Sequence, residues 1–135
     1  MDLPTLYVKY LQRRQIEKEE YCMREDDHRK AAEELEQNIQ QLRAIGGADR
    51  AVIELAWGAA FHWTAYGCQR KYGKHQENHR GLVTTLENYN ETLMADYWRD
   101  FENVRIAGWY GHQHSQSDVQ RALDLLANLR MWASS

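Results

Sequence analysis

The sequence predicts an all-α protein, because almost nothing in it interrupts a helix or favours a strand. Its only proline is Pro4, which suits a first helical turn, so no later proline breaks a helix. Alternating runs of Val, Ile and Thr, which are typical of strands, are absent. Apolar residues recur instead at spacings of three and four. We therefore predict an up-down bundle of four to five helices with an extra N-terminal helix.

The N-terminal part contains two predicted helices, the second of which ends at Gly46-Gly47. The first has a short apolar face around Leu6 and Tyr10 that fades before residue 20. An acidic stretch follows, and Asp26 or Asp27 is the predicted N-cap of the second helix. The narrow apolar stripe of that second helix contains Ala32, Leu35, Ile39 and Leu42.

The next helix is predicted from its N-cap Asp49 to Tyr72, with Gly73 ending it. Small residues alternate with aromatic rings along it, so neighbouring helices can approach closely while the rings fill the remaining volume. We predict that this is the buried central helix and that His62, inside it, is a hydrogen-bonded interior histidine rather than a catalyst. The small residues are Ala56, Gly58, Ala59, Ala60, Ala65 and Gly67.

The C-terminal half is predicted to contain three helices. A short helix covers residues 82–87, and Asn90 is the predicted N-cap of a longer one that runs up to Gly108. Residues 108–116 are predicted to form a loop or frayed turn. A capping box at Ser117-Asp118-Val119-Gln120 then predicts the start of the last helix.

Length and charge exclude several functional classes. The chain has 135 residues, which suits one domain, and 17 Lys and Arg against 20 Asp and Glu, so it lacks the basic field of a general duplex-binding protein. No apolar run is long enough to span a bilayer, and the N-terminus has no signal-peptide pattern. Cys22 and Cys68 are far apart, which fits two thiols in a reducing compartment. We expect a cytoplasmic protein without a membrane partner.

The segment from Arg105 to His114 carries the strongest chemical signal. An arginine can hold a phosphate and a histidine can move protons near neutral pH, which together suffice for metal-free cleavage of RNA through its own 2′-hydroxyl. The alternative is structural: Arg105 pairs with Asp100 or Glu102, Trp109 and Tyr110 pack, and the histidines are exposed.

Two further features have both a functional and a structural interpretation. His75 and His79 stand four apart, so with His112 or His114 they form a conceivable three-histidine metal site, although a polar loop is the simpler interpretation. The five tryptophans beside basic residues suit base stacking, but at helical spacing we expect most of the rings to be core.

The order of these motifs resembles the HEPN domain in its small prokaryotic branch. The matching parts are the run at residues 51–63 (AVIELAWGAAFHW), Gly73, His79-Arg80, residues 105–110 and the capped last helix. The resemblance implies a single domain over residues 1–135, with a HEPN-like core at 27–133 and an additional N-terminal helix at 1–26. It also implies a homodimer, a metal-independent ribonuclease or toxin activity in some members, and a nucleotidyltransferase antitoxin as a partner.

The resemblance further implies roles for individual residues. Arg105 would hold the scissile phosphate and His112 would transfer protons, with RNA or nucleotide bound by Tyr110, His114, His79 and Arg80. Tyr110 and His112 stand in the reverse order to one toxin branch, and Ile106 is apolar where active members carry a polar residue. We therefore expect RNA or nucleotide binding at a dimer cleft, with no cofactor or metal. The alternatives are a catalytically inactive protein interaction module and a His-rich metal-binding bundle.

Overall fold

The computed structural model describes residues 5–10, 24–110 and 113–135, and those residues form an all-α helical bundle, as predicted. Residues 5–10 are helical and exposed, and we call them α1. No strand occurs in the described ranges. The remaining helices are α2 (Glu25–Ile45), α3 (Asp49–Tyr72), α4 (Leu82–Asn88), α5 (Thr92–Ala107) and α6 (Gln116–Ser134).

Helix α3 is the centre of the bundle, which confirms the prediction from its small residues. α2 and α6 both pack along α3, α5 contacts both α3 and α6, and α4 packs on α5. Small side chains on α3 allow this because they are fully buried without holding the neighbouring helices apart. The core beneath α5 is filled by Trp98 and Phe101.

Gly67 shows how closely two helices approach. A Cβ atom at this position would lie 2.4 Å from the Trp132 ring and 3.0 Å from the Cα of Ala133 on α6. Any side chain at residue 67 would therefore push α6 away from α3. The glycine is required by packing, as its place among small residues indicated.

The helix ends were predicted less well than the helices. Gly73 ends α3 as predicted, but α3 begins at Asp49 itself and its N-cap is Ala48. The N-cap of α2 is Arg24 rather than Asp26 or Asp27. Asp27 still contributes, because its carboxylate accepts the backbone N–H of Arg24 at 3.2 Å.

The N-caps of α5 and α6 also lie one or two residues from their predicted positions. The N-cap of α5 is Glu91, and Asn90 before it has a left-handed backbone with φ 61°. The capping box of α6 starts at Ser115 rather than Ser117, and the Ser115 hydroxyl accepts the backbone N–H of Asp118 at 3.3 Å. The N-cap of α6 is therefore a serine two residues earlier in the chain than predicted.

The tryptophans divide between core and surface. Trp63 and Trp98 are buried, Trp57 and Trp132 are half-buried, and Trp109 is exposed. Cys68 is a free buried thiol whose pKa burial raises to about 11, whereas Cys22 lies outside the described residues. None of the described helices combines the length and apolarity that a bilayer-crossing helix needs.

Candidate functional site

Arg105, in the last turn of α5, is held by carboxylates from two helices. Its Nε donates to Oε2 of Glu54 on α3 at 3.0 Å, and one Nη lies 4.0 Å from Oε2 of Glu102. The structural alternative of the sequence analysis therefore holds for Glu102, although Glu54 is the closer partner. Asp100 pairs with Arg121 instead, at 2.6 Å.

The Trp57 ring lies under the Arg105 guanidinium. The guanidinium carbon is 4.2 Å from the ring centroid, which is close enough for a cation–π contact. The indole N–H of Trp57 donates to Oε1 of Glu102 at 3.1 Å. His79 contacts the same ring, edge to face, with centroids 5.0 Å apart. The structure thus brings Arg105 and His79 together through a residue that the sequence analysis placed in the core.

Trp109, in the turn after α5, completes this arrangement. Its indole N–H donates to Oε1 of Glu54 at 2.8 Å, so one carboxylate accepts from both Trp109 and Arg105. The Arg50 guanidinium lies 5.1 Å from the Trp109 ring and also donates to the carbonyl of Gly108. We call this set the turn network; its members are Arg50, Glu54, Trp57, Glu102, Arg105 and Trp109.

The electrostatics of the turn network are balanced. Its two guanidinium groups, of Arg50 and Arg105, are offset by the carboxylates of Glu54 and Glu102. A phosphate bound at Arg105 would have to compete with Glu54 and would feel repulsion from both carboxylates. The charges of the turn network pair with one another, so it has no excess positive charge with which to bind an anion.

The outer surface of this turn is apolar. The side chains of Ile106, Trp109 and Tyr110 are 45%, 55% and 83% exposed. His112, predicted for proton transfer, lies outside the described residues. Tyr110 is the most exposed of these three side chains.

His114 has a structural position rather than one beside Arg105. Its Nε2 donates to the carbonyl of Val104 at 3.0 Å, so it satisfies a carbonyl in the last turn of α5. A Cβ atom on Gly108 would lie 2.0 Å from the His114 ring, so only glycine leaves room for the imidazole. His114 fixes the path of the turn, and its predicted part in nucleotide binding stays a prediction.

Beside the turn network lies an open cleft of about 420 Å³ between the start of α4 and α5. His79, Trp98, Glu102 and Asn103 contribute to its lining. Arg80, the other predicted binding residue in this region, is exposed in the turn before α4, and its backbone N–H donates to Asn78 at 2.9 Å. The cleft has the size of a small-molecule site. The Glu102 carboxylate lines it together with the His79 imidazole, so its lining is not simply positive.

The two histidines that suggested a metal site belong to different clusters. His79 contacts Trp57, whereas His75 packs against His28, with ring centroids 6.1 Å apart. His114 is bound to Val104. Within the described ranges no three His, Cys, Asp or Glu side chains are placed closely enough to hold a metal ion.

Sequence reasoning missed two sets of residues. Arg50, Glu54 and Trp57 stand at positions i, i+4 and i+7 of α3, which is one face of a helix, and this spacing was available in the sequence. His28, by contrast, contacts His62 from 34 residues away, and nothing in the local pattern indicates that pairing.

Comparisons with protein-family models, with curated proteins and with solved structures returned no match. The HEPN resemblance therefore stays a prediction.

Proposed function

We propose that this protein is a homodimeric interaction module in which α5 and the turn after it pair with the same elements of a second copy. Six residues at spacings of three or four run along the outside of α5 into the turn, and all are exposed. We call them the α5 stripe: Leu93, Asp96, Arg99, Asn103, Ile106 and Tyr110.

The distribution of residues along the α5 stripe favours a second copy as the partner. The stripe is apolar at both ends, with Leu93 58% exposed at one end and Ile106 and Tyr110 at the other. If two copies of α5 cross antiparallel near residue 101, Leu93 of one copy faces the aromatic turn of the other. Arg99 then faces Asn103, so no like charges meet. Asp96 faces Ile106 in this register and keeps its own partner, Arg99 of the same helix, at 3.0 Å.

The turn network supplies what an interface anchor needs. Trp, Tyr and Arg dominate the energetics of protein interfaces, and Trp109 and Tyr110 are exposed beside Arg50 and Arg105. Trp109 is already fixed by Glu54 and Arg50, so binding loses little of its conformational entropy. The single observation that carries the proposal is this exposed, preordered aromatic surface at the end of an exposed stripe.

Light scattering over a range of protein concentrations tests the proposal. We expect a mass of twice the 16.0 kDa chain for the unmodified protein and a shift to the monomer for Ile106→Asp and for Tyr110→Ser. Met131→Asp is the matched control, because Met131 is a 67% exposed apolar residue of a different helix, α6. A monomer at all concentrations, or dissociation by the control alone, contradicts the proposal.

RNA or nucleotide binding at the same turn, with HEPN-type cleavage by Arg105 and His112, is the second candidate. The observation that favours it is the stacked pair of the Arg105 guanidinium and the Trp57 ring, with His79 on the same ring. The Arg105 side chain is 28% exposed, so a phosphate can reach it once Glu54 is displaced.

Cleavage of single-stranded RNA in the presence of a chelator tests this candidate. Arg105→Ala and His112→Ala should abolish cleavage, whereas Arg121→Ala, which removes an exposed arginine on α6, should leave it unchanged. Intact RNA at high protein concentration, with no measurable RNA binding, would exclude it and leave the interaction module.

A further inference from the structure

Three imidazoles from three separate segments meet on the side of the bundle where α2 begins. His28 lies in the first turn of α2, His62 on α3, and His75 in the loop after α3. The Nδ1 atoms of His28 and His62 are 3.0 Å apart, and the His28 ring centroid lies 5.3 Å from that of His62 and 6.1 Å from that of His75. We call this the histidine cluster.

One buried nitrogen of the histidine cluster is unpaired. His28 is fully buried, and its Nε2 has no hydrogen-bond partner among the described residues. Phe61 packs against the His28 ring in a T-shaped arrangement, with the ring centroids 6.0 Å apart. Because Nε2 is unpaired, the Nδ1 atom that faces His62 is the only nitrogen of His28 with a polar neighbour among the described residues.

We propose that the histidine cluster is a binding site for a divalent late first-row transition-metal ion such as Zn²⁺, Ni²⁺ or Cu²⁺. Nδ1 of His28 and Nδ1 of His62 are two ligands in this proposal, and His75 is the third. Imidazole nitrogen is the ligand that these ions favour, and three histidines with an open position form a recurrent site.

The geometry of the pair fits a shared ion. Two nitrogens bound to one ion at about 2.0–2.1 Å lie about 2.8–3.0 Å apart at the octahedral angle and about 3.3–3.4 Å apart at the tetrahedral angle. The observed Nδ1 separation of 3.0 Å matches the octahedral angle. No three donor atoms of the described residues converge as they stand, so His75 must move inward on binding. It lies in the non-helical segment between Tyr72 and Leu82, where such a movement does not disturb a helix.

The charges around the cluster also suit a cation. Asp27, next to His28 in the chain, acts electrostatically on its imidazole, and Glu77 lies 4.0 Å from Nε2 of His75. Burial lowers the pKa of both His28 and His62, so both rings are neutral at pH 7 and have lone pairs to donate. In the ion-free pair one Nδ1 carries a proton that it donates to the other. In this proposal the donor ring is His62, and on metal binding its proton moves from Nδ1 to Nε2 of the same half-buried ring, so the step is balanced without release of a proton.

Metal binding by the full chain, without an affinity tag, tests the proposal. The protein is stripped with a chelator, dialysed at pH 7.5 against Zn²⁺, Ni²⁺ or Cu²⁺ separately, and its metal content and thermal midpoint are measured. We expect one ion per chain and a rise in the midpoint with at least one of the three ions. His62→Gln and His75→Gln should each weaken binding at least tenfold, and His79→Gln, which alters a histidine outside the cluster, should not.

The variants separate the proposal from its competitors. His62 and His75 are only half-buried, so their glutamine variants should fold, and circular dichroism checks this. The stripped protein is also loaded with Co²⁺, whose visible absorption bands report its ligands. Bands that are present in the unmodified protein and absent in His75→Gln support a third ligand from the loop. Absence of stoichiometric binding for all three ions, or binding that survives in both cluster variants, overturns the proposal.

Discussion

The turn network and the histidine cluster both gather titratable groups from distant parts of the chain, yet they satisfy those groups in opposite ways. In the turn network, Glu54 and Glu102 accept from an arginine and from two indoles, and the apolar faces of the rings remain exposed. In the histidine cluster one ring, that of His28, is fully buried, and its Nε2 nitrogen stays unpaired.

Because of this difference, the two regions are suited to different kinds of ligand. The polar groups of the turn network already pair with one another, so a charged ligand would gain few new contacts there. Its exposed apolar rings, by contrast, can bind a protein partner. The imidazole pair of His28 and His62 exposes no apolar surface for a partner, but its facing nitrogens have lone pairs that can bind an ion. Variants at each region should therefore change different observables.

The largest effect is expected on the acid stability of the histidine cluster. Burial, and then the charges of His62 and His75, lower the pKa of His28 to about 4 from an ordinary value near 6.5. Between pH 6.5 and pH 4 the imidazole of His28 binds a proton in the unfolded chain but not in the native protein. The free energy of unfolding therefore falls as the pH falls through this range. The loss from this group is about 3 kcal/mol.

Urea unfolding at pH 7 and at pH 4.5, with chelator present, measures this loss. His28→Phe removes the group and should make unfolding stability less sensitive to acid, while His79→Phe should behave as the unmodified protein does. An equal acid loss in His28→Phe and in the unmodified protein would show that His28 is not the group that titrates.

A smaller effect is expected where His114 fixes the turn. Gly108→Ala places a methyl group where the His114 ring lies and should cost about 2 kcal/mol by overpacking. The cost should largely vanish in a His114→Ala background, because the two residues are then no longer in conflict. Thermal or urea unfolding of the double-mutant cycle measures it, and additive effects would refute the contact.

The smallest effect on stability is expected from neutralising Glu54. Glu54→Gln keeps an acceptor for Trp109 but removes the charge that faces Arg105, and since both side chains are partly exposed we expect a loss of about 1 kcal/mol. Released from that carboxylate, Arg105 should bind single-stranded RNA more tightly than in the unmodified protein. Filter binding measures this, with Glu33→Gln on α2 as the control; unchanged RNA affinity in Glu54→Gln would show that Glu54 does not mask Arg105.

The helices were predictable from the sequence, whereas the partners of the key side chains were not. Gly73 and the small residues of α3 mark an end and a buried face by local chemistry, so the pattern alone locates them. Glu54 meets Arg105 across 51 residues and His28 meets His62 across 34, because helix packing brings them together. The N-cap of α6 moved by two residues because Ser115 and Ser117 both offer a hydroxyl near the same N–H groups. The N-caps of α2, α3 and α5 are Arg24, Ala48 and Glu91, which make no side-chain cap hydrogen bond, so a search for capping side chains does not find them.

Cross-linking at the middle of the α5 stripe shows whether two copies pair through α5. Asn103→Cys and, as a control, Met131→Cys are each made in a Cys22→Ser background and treated with a short bismaleimide at low protein concentration; Cys68 is buried and should not react. We predict a covalent species of twice the 16.0 kDa chain mass for Asn103→Cys and little for Met131→Cys. Equal yields from the two variants, or no covalent dimer from Asn103→Cys, would contradict pairing through α5.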